Sequence, residues 1–152
     1  MNRRTRLYFD VCCLSRPFDD QAQERVRLES EAVKEILLRI GRKEWIWVGS
    51  DIVMFEIGRI ADADLCLDVG LLTRDISEMI QHNDRDNSRA EQLVLCGFKG
   101  VDAMHVACAE RGAANVLLTT DDGMLKTARR HAGSLKLKVM NPLQWFVEAV
   151  RR

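Results

Sequence analysis

The stretch LLTTDDGML, residues 117–125, runs from an apolar segment straight into two acids and then a helix-forming segment. The apolar segment predicts a buried strand at residues 116–119. A carboxylate at the end of such a strand must stay in water, cap the next helix or hold a cation. The choice among these three depends on which other acids reach the same place in the fold.

Strand-like and helix-like segments alternate along the rest of the chain. Strands are predicted at residues 7–9, 45–48, 116–119 and 135–140, with helices at 20–40, from 51, at 88–96, 101–111, 123–131 and from 142. Residues 61–83 fit one or two helical pieces followed by a short strand. Such alternation predicts an α/β fold in a single domain, residues 1–152. The central parallel sheet would have about four or five strands, with helices on both faces.

Capping residues support several of these helix boundaries. Asp20 with Gln23 resembles a capping box, which would start the long helix near Asp20. Ser50 suits the N-cap of a helix that starts at Asp51. Pro142 suits the first position of the closing helix, with Asn141 as its cap.

The composition limits the classes of protein that the chain can belong to. It has 152 residues with 23 Lys and Arg against 23 Asp and Glu, so it lacks the basic excess of a non-specific nucleic-acid binder. No apolar run approaches the ~20 residues of a membrane span, and the basic start suits a first strand better than a signal peptide. Five cysteines without a C-x-x-C pair indicate reduced thiols and a cytoplasmic location.

Four acids are expected at the carboxyl ends of the strands or on core-facing helix stripes. Asp10 and Asp121 end predicted strands, and Asp102 begins a helix whose face continues through His105. Ligand crevices of parallel sheets lie at these strand ends. Capping would also explain Asp121 and Asp102, whereas no helix is predicted directly after Asp10.

Glu56 lies within an apolar stripe of its predicted helix, between Ile52, Val53 and Ile60. A carboxylate there is costly unless it is paired or binds a cation. An ion pair with Arg59 and a metal-binding role both remain open. Four carboxylates in one crevice would repel each other, and a divalent cation would neutralise them; their oxygen ligands favour Mg²⁺ or Mn²⁺ over zinc.

The order of these acids and the motifs around them resemble the PIN-domain family of metal-dependent ribonucleases. LYFD resembles its first strand, SDIVMFE the helix that carries the second acid, and GFKGVDAMHVACAE its DA-x-H-x-A helix. LLTTDDGML resembles its T-x-D strand end, and VMNPLQW its final strand and Asn-Pro turn. The resemblance extends from about residue 6 to residue 147 and is weakest at 61–83.

The resemblance implies a nuclease that cleaves single-stranded RNA, often as the toxin of a toxin–antitoxin pair. It implies Mg²⁺ or Mn²⁺ as cofactor, a homodimer, and a cognate antitoxin as partner. Asp10, Glu56, Asp102 and Asp121 would be the catalytic and metal-binding residues. Thr119 would orient an acid or a water molecule, and Asp122 would be an outer ligand. Further candidates for RNA contact near the strand ends are Arg16, Arg59 and Lys99.

One departure concerns the residues after Asp10. Many PIN toxins have a small hydroxyl residue or Asn there, whereas this chain has Val11, Cys12 and Cys13. His105, one turn from Asp102, is interpreted as a buried, hydrogen-bonded side chain and not as a general base.

Two other functions were compared with the nuclease. The zero net charge and Cys12-Cys13 also suit a catalytically inactive PIN-like module that binds RNA or protein. A phosphatase of the haloacid-dehalogenase type would need a second Asp where this chain has Cys12, and the late Lys of receiver domains has no well-placed counterpart.

Overall fold

Five parallel strands form one sheet, in the order β3-β2-β1-β4-β5, so β1 is the central strand. A computed structural model describes residues 3–151; Met1, Asn2 and Arg152, which the domain prediction includes, lie outside the described residues. The strands are β1 Arg6–Phe9, β2 Ile46–Ser50, β3 Glu78–Ile80, β4 Val116–Leu118 and β5 Lys138–Met140. The predicted parallel α/β architecture is confirmed.

Helices connect the strands and cover the sheet. They are α1 Val11–Ser15, α2 Glu24–Gly41, α3 Asp51–Gly58, α4 Ala63–Leu72, α5 Asp84–Leu95, α6 Gly100–Arg111, α7 Asp122–Arg130 and α8 Pro142–Val150. Within the described chain, no helix is both long and apolar enough to cross a membrane. The middle segment contains one helix and a short strand, as expected.

The predicted start of the long helix at Asp20 is wrong. The Asp20 side chain accepts a hydrogen bond from the Ala22 amide in a turn, and α2 begins only at Glu24. The prediction that no helix follows Asp10 is also wrong, because α1 begins at Val11. The Asp10 side chain nevertheless makes no capping bond to α1, so capping does not account for it.

Other helix ends follow local signals in the sequence. The Ser50 hydroxyl accepts a hydrogen bond from the Val53 amide, which confirms it as the N-cap of α3. Helix α5 starts four residues before the prediction, because Asn83 and Asp86 form a capping box. Asn141 caps α8 ahead of Pro142, as expected.

The core lies on both faces of the sheet and includes the fully buried residues Leu7 and Phe9 of β1. Gly112, at the end of α6, has a packing role as well. A Cβ atom there would lie 2.7 Å from Cγ1 of Val48 on β2, so only glycine lets α6 end this close to the sheet. This close approach anchors α6, the helix that carries Asp102 and His105.

Candidate metal centre

The carboxyl ends of β1 and β4 hold Asp10 in a defined orientation. The Asp10 carboxylate is buried, and its Oδ2 accepts a hydrogen bond of 2.9 Å from the Thr119 hydroxyl. Oγ1 of Thr119 in turn accepts a bond of 3.1 Å from the amide of Asp121. Thr119 therefore links the two acids that end these strands.

Cys12 takes part in the same group of contacts. Its Sγ lies 3.3 Å from Oδ2 of Asp10 and 3.3 Å from Oγ1 of Thr119. It also accepts a weak hydrogen bond of 3.4 Å from the Thr120 amide. The departure noted after Asp10 thus places a thiol directly against the carboxylate, where it can donate a weak hydrogen bond.

Glu56 extends from α3 to the carboxyl end of β1, close to Asp10. Its carboxylate is hydrogen-bonded to Nε2 of His105. Nε2 lies 3.8 Å from Oδ1 of Asp10. Donor atoms of Asp10, Glu56 and His105 all lie within 4.8 Å of one another. The alternative of a Glu56–Arg59 ion pair is wrong, because among the described residues Glu56 is paired with His105 and Arg59 forms no ion pair. The Arg59 guanidinium lies 5.6 Å from the centroid of the Phe55 ring.

His105 is fully buried and belongs to a chain of side-chain hydrogen bonds. Its Nδ1 lies 2.6 Å from the Tyr8 hydroxyl, which lies 2.6 Å from the Ser50 hydroxyl. The Ser50 oxygen accepts from the Val53 amide at 3.2 Å. This relay, formed by Ser50, Tyr8, His105 and Glu56, joins β2, β1, α6 and α3.

One assignment of protons uses every donor in the relay. The Val53 amide donates to Ser50, the Ser50 hydroxyl to Tyr8, and the Tyr8 hydroxyl to Nδ1 of a neutral imidazole. Nε2–H then donates to the Glu56 carboxylate. Burial raises the pKa of the Tyr8 phenol well above its ordinary value, so Tyr8 keeps its proton. His105 therefore orients Glu56, as its interpretation as a buried, hydrogen-bonded side chain requires.

Asp102 lies close enough to the other acids to sense their charge. Burial, followed by the charges of Asp10 and Asp121, raises the pKa of Asp102 to about 6, and Glu56 adds to the shift. Asp121 also caps α7 by accepting a hydrogen bond of 3.1 Å from the Met124 amide. Among the described residues, Asp10 and Glu56 are the predicted acids that have oxygens within 4.8 Å of each other, whereas Asp102 and Asp121 are near enough for their charges to act on the same region. We call these four acids, at the carboxyl ends of the strands, the acidic cluster.

The remaining predicted site residues do not join this cluster. Asp122 is exposed and accepts two hydrogen bonds of 2.8 Å from Arg25, so its carboxylate is already paired with a cation; its role as an outer ligand stays a prediction. Arg16 is engaged with Glu29 and Asp19. Lys99 is exposed at the start of α6, where it makes no side-chain capping bond.

Glu29 is a buried acid that the sequence analysis did not single out. Its side chain is almost fully buried and accepts hydrogen bonds from Arg16, Arg25 and Asn141. These partners connect α2 to the turn before α8 and, through Arg25 and Asp122, to the start of α7. Glu29 is fully paired and so does not need a cation.

The donor set of the acidic cluster fits a divalent cation. Oxygens of Asp10 and Glu56 lie within 4.8 Å of each other, and among the described residues none of the four acids forms an ion pair with Arg or Lys. Oxygen donors suit Mg²⁺ or Mn²⁺. With this placement of protons, Nε2 of His105 donates a hydrogen bond to Glu56 and so cannot ligate a metal. The carboxylates are therefore the available ligands.

Comparisons with known proteins agree at the level of the fold. Neither the family models nor the curated protein sequences gave a match. Among solved structures, a chain of VapBC2 from Rickettsia felis, solved bound to a DNA fragment from their promoter, superposes with a TM-score of 0.62 at 11% identity. The alignment covers 90% of this chain and 98% of that one.

A second similar structure is PAE2754 from Pyrobaculum aerophilum. It has a TM-score of 0.59 at 14% identity, and the alignment covers 97% of this chain and 91% of that one. Both alignments extend over nearly all of each chain, so they compare whole folds and not a shared fragment. The chain therefore has a PIN-like fold.

Proposed function

We propose that the protein is a Mg²⁺- or Mn²⁺-dependent endoribonuclease that cleaves phosphodiesters of single-stranded RNA. The observation that carries this proposal is the acidic cluster of Asp10, Glu56, Asp102 and Asp121, oriented by Thr119 and His105. Metal ions held by a few carboxylates are a common means of phosphodiester hydrolysis.

The carboxylates would hold the cation, and the surrounding residues would keep them in place. When bound, a divalent cation supplies Lewis acidity that activates water and offsets charge on the phosphoryl group. Thr119 fixes Oδ2 of Asp10 by donation, and His105 fixes Oε1 of Glu56 by donation. Each carboxylate thereby keeps an oxygen for the cation in a fixed direction, which reduces the reorganisation needed on binding.

We further propose a cognate antitoxin as partner, by analogy with the VapBC2 complex. Helices α3 and α4 expose Phe55, Leu67 and Leu71, with exposed fractions of 60%, 62% and 53%. Exposed apolar side chains on two adjacent helices suit a protein interface. A homodimer is the second expected assembly, and the mass of the protein in solution, alone and with proteins encoded beside it, tests both.

The nuclease is tested by incubating mixed-sequence single-stranded RNA with the protein in EDTA, Mg²⁺ or Mn²⁺. Asp10→Asn/Asp102→Asn removes two charges of the cluster. Asp68→Asn/Asp75→Asn is the matched control, because both residues are exposed and lie outside the cluster. RNA cleavage that requires Mg²⁺ or Mn²⁺ and is lost only in Asp10→Asn/Asp102→Asn supports the proposal.

Metal binding is measured separately by titration calorimetry with Mn²⁺. If the protein bound Mn²⁺ through Asp10 but cut no RNA under any condition, the inactive binding module would replace the nuclease. If it bound no divalent metal, the metal-dependent mechanism would be refuted.

A further inference from the structure

A large open cleft lies at the end of the sheet opposite to the acidic cluster. It is lined by the amino ends of β1 and β4, by the whole of the edge strand β5 and by parts of α7 and α8, and its volume is about 1210 Å³. Six cationic side chains line it, Arg3, Arg4, Arg6, Arg129, Lys136 and Lys138, against two acids, Glu110 and Glu148. In the whole chain the two charge types are equal in number, 23 against 23.

Ion pairs occupy one cation and one acid of this lining, so the excess of positive charge stays the same. Arg6 is paired with Glu78, and Glu110 is paired with Arg89. Glu148 is then the only acid lining the cleft whose charge is not offset by an ion pair in the described chain. The cations other than Arg6 form no ion pair among the described residues; we call this set, Arg3, Arg4, Arg129, Lys136 and Lys138, the basic cleft.

The zero net charge therefore conceals a separation of charge along the strands. The carboxyl ends carry the acidic cluster, and the amino ends carry the basic cleft. Five cations without an ion pair among the described residues, from the N-terminal segment, α7 and the residues around β5, line this one cleft, so their potentials add there. Such a concentration attracts polyanions even to a neutral protein.

We propose that the basic cleft binds the phosphate backbone of single-stranded nucleic acid. The cations line a recess and do not lie on a flat face, so a thin flexible strand can enter, whereas the planar surface of an anionic membrane cannot. Their distribution over several segments matches a series of phosphates better than one compact anion.

Binding at the basic cleft does not depend on the proposed cleavage, so it is measured in EDTA. A fluorescein-labelled single-stranded RNA of mixed sequence is titrated by anisotropy at several salt concentrations. The test variant is Arg129→Glu/Lys136→Glu/Lys138→Glu. The control, Arg27→Glu/Arg42→Glu/Arg85→Glu, makes the same change in net charge at exposed residues outside the cleft. Thermal unfolding checks that both variants fold; if the test variant does not, the Gln versions of both replace them.

The expected result is at least a tenfold loss of affinity in the cleft variant and little loss in the control. The slope of log Kd against log salt should fall by about 2, since three phosphate contacts at ~0.7 each are removed. Equal losses in both variants would overturn the proposal, as would no loss in either. Competition by duplex RNA or anionic vesicles as strong as that by unlabelled single strands would also overturn it. RNA cleavage assays are separate, so a failure of the nuclease proposal leaves this result unaffected.

Discussion

The hydroxyl of Tyr8 lies 2.6 Å from Nδ1 of His105, which links the central strand of the sheet to the helix that follows Lys99. Both side chains are fully buried. The bond matters because the other ring nitrogen of His105 holds Glu56. A polar chain inside the core thus determines the direction of a carboxylate at the edge of the acidic cluster.

Removing a hydroxyl from the relay should therefore destabilise the fold, while removing an unused hydroxyl should not. Ser50→Ala is expected to lower the free energy of unfolding by about 1–3 kcal/mol, since it leaves Tyr8 without its donor and α3 without its cap. Ser30→Ala is the control, because the Ser30 hydroxyl is buried but has no hydrogen-bond partner among the described residues. Urea unfolding measures both. Equal losses of unfolding free energy in Ser50→Ala and Ser30→Ala would contradict the relay. A double-mutant cycle that combines Ser50→Ala with Tyr8→Phe should show coupling between these two positions.

Loss of the Thr119 hydroxyl should weaken metal binding without unfolding the protein. Thr119→Val keeps the shape but frees Oδ2 of Asp10, and removal of such a supporting hydrogen bond typically costs 10–100-fold in metal affinity. Thr120→Val is the matched control, because its contacts to Cys12 and Arg25 are made through the backbone. Calorimetric titration with Mn²⁺ compares the two. Similar affinities for the two variants would show that Thr119 does not orient the acid.

The raised pKa of Asp102 predicts that stability depends on pH in the metal-free protein. Its folded pKa of about 6 exceeds the ordinary 3.8, so the ionised carboxylate destabilises the fold, and stability falls as pH rises from 3.8 to 6. Asp102→Asn should therefore raise the free energy of unfolding at pH 7 in EDTA. The gain should be about 1–2 kcal/mol after allowance for solvent screening of a partly exposed group.

At pH 4 the same substitution should have little effect, because Asp102 is then already protonated in the folded state. Urea unfolding at the two pH values measures the difference, and Asp68→Asn at an exposed position provides the control. A gain of equal size at both pH values would show that the charge of Asp102 is not the cause.

Glu29 should be one of the most sensitive acids for stability. Glu29→Gln removes the charge that pairs with Arg16 and Arg25 inside the protein, and breaking a buried ion pair costs about 3–5 kcal/mol. Because both arginines are partly exposed, we expect the lower end of that range. Glu31→Gln on the same helix breaks only an exposed pair with Lys34 and should cost less than about 1 kcal/mol. Chemical unfolding of both variants measures the loss in free energy of unfolding. Equal losses would show that the ion pairs of Glu29 do not stabilise the fold.

Local signals predicted the architecture well but misplaced some boundaries. Ser50 and Asn141 were recognised as caps because their helices begin immediately after them. The long helix was predicted to start at Asp20, where a polar turn offers a competing capping pattern. The start of α5 was missed because Asn83 and Asp86 lie in a polar stretch that resembles a loop.

Contacts between distant residues account for what the sequence could not reveal. Glu29 lies in a charged helical segment that looks solvent-exposed, and its partner Asn141 is 112 residues away. The bond of Glu56 to His105 spans 49 residues, so Arg59, only three residues from Glu56, was the natural local partner to consider. The roles of Asp10, Glu56, Asp102 and Asp121 as metal ligands stay predictions.

The central position of β1 has a consequence for the order of events during synthesis. A nascent chain that ends before β4 already contains Asp10, Glu56 and Asp102, yet β1 then has a partner on one edge only. The hydroxyl that orients Asp10 is supplied 109 residues after it. An unfinished chain therefore carries most of the acids without the geometry that arranges them. If these acids do cut RNA, the ribosome would release a competent nuclease only after the last third of the polypeptide has joined the sheet.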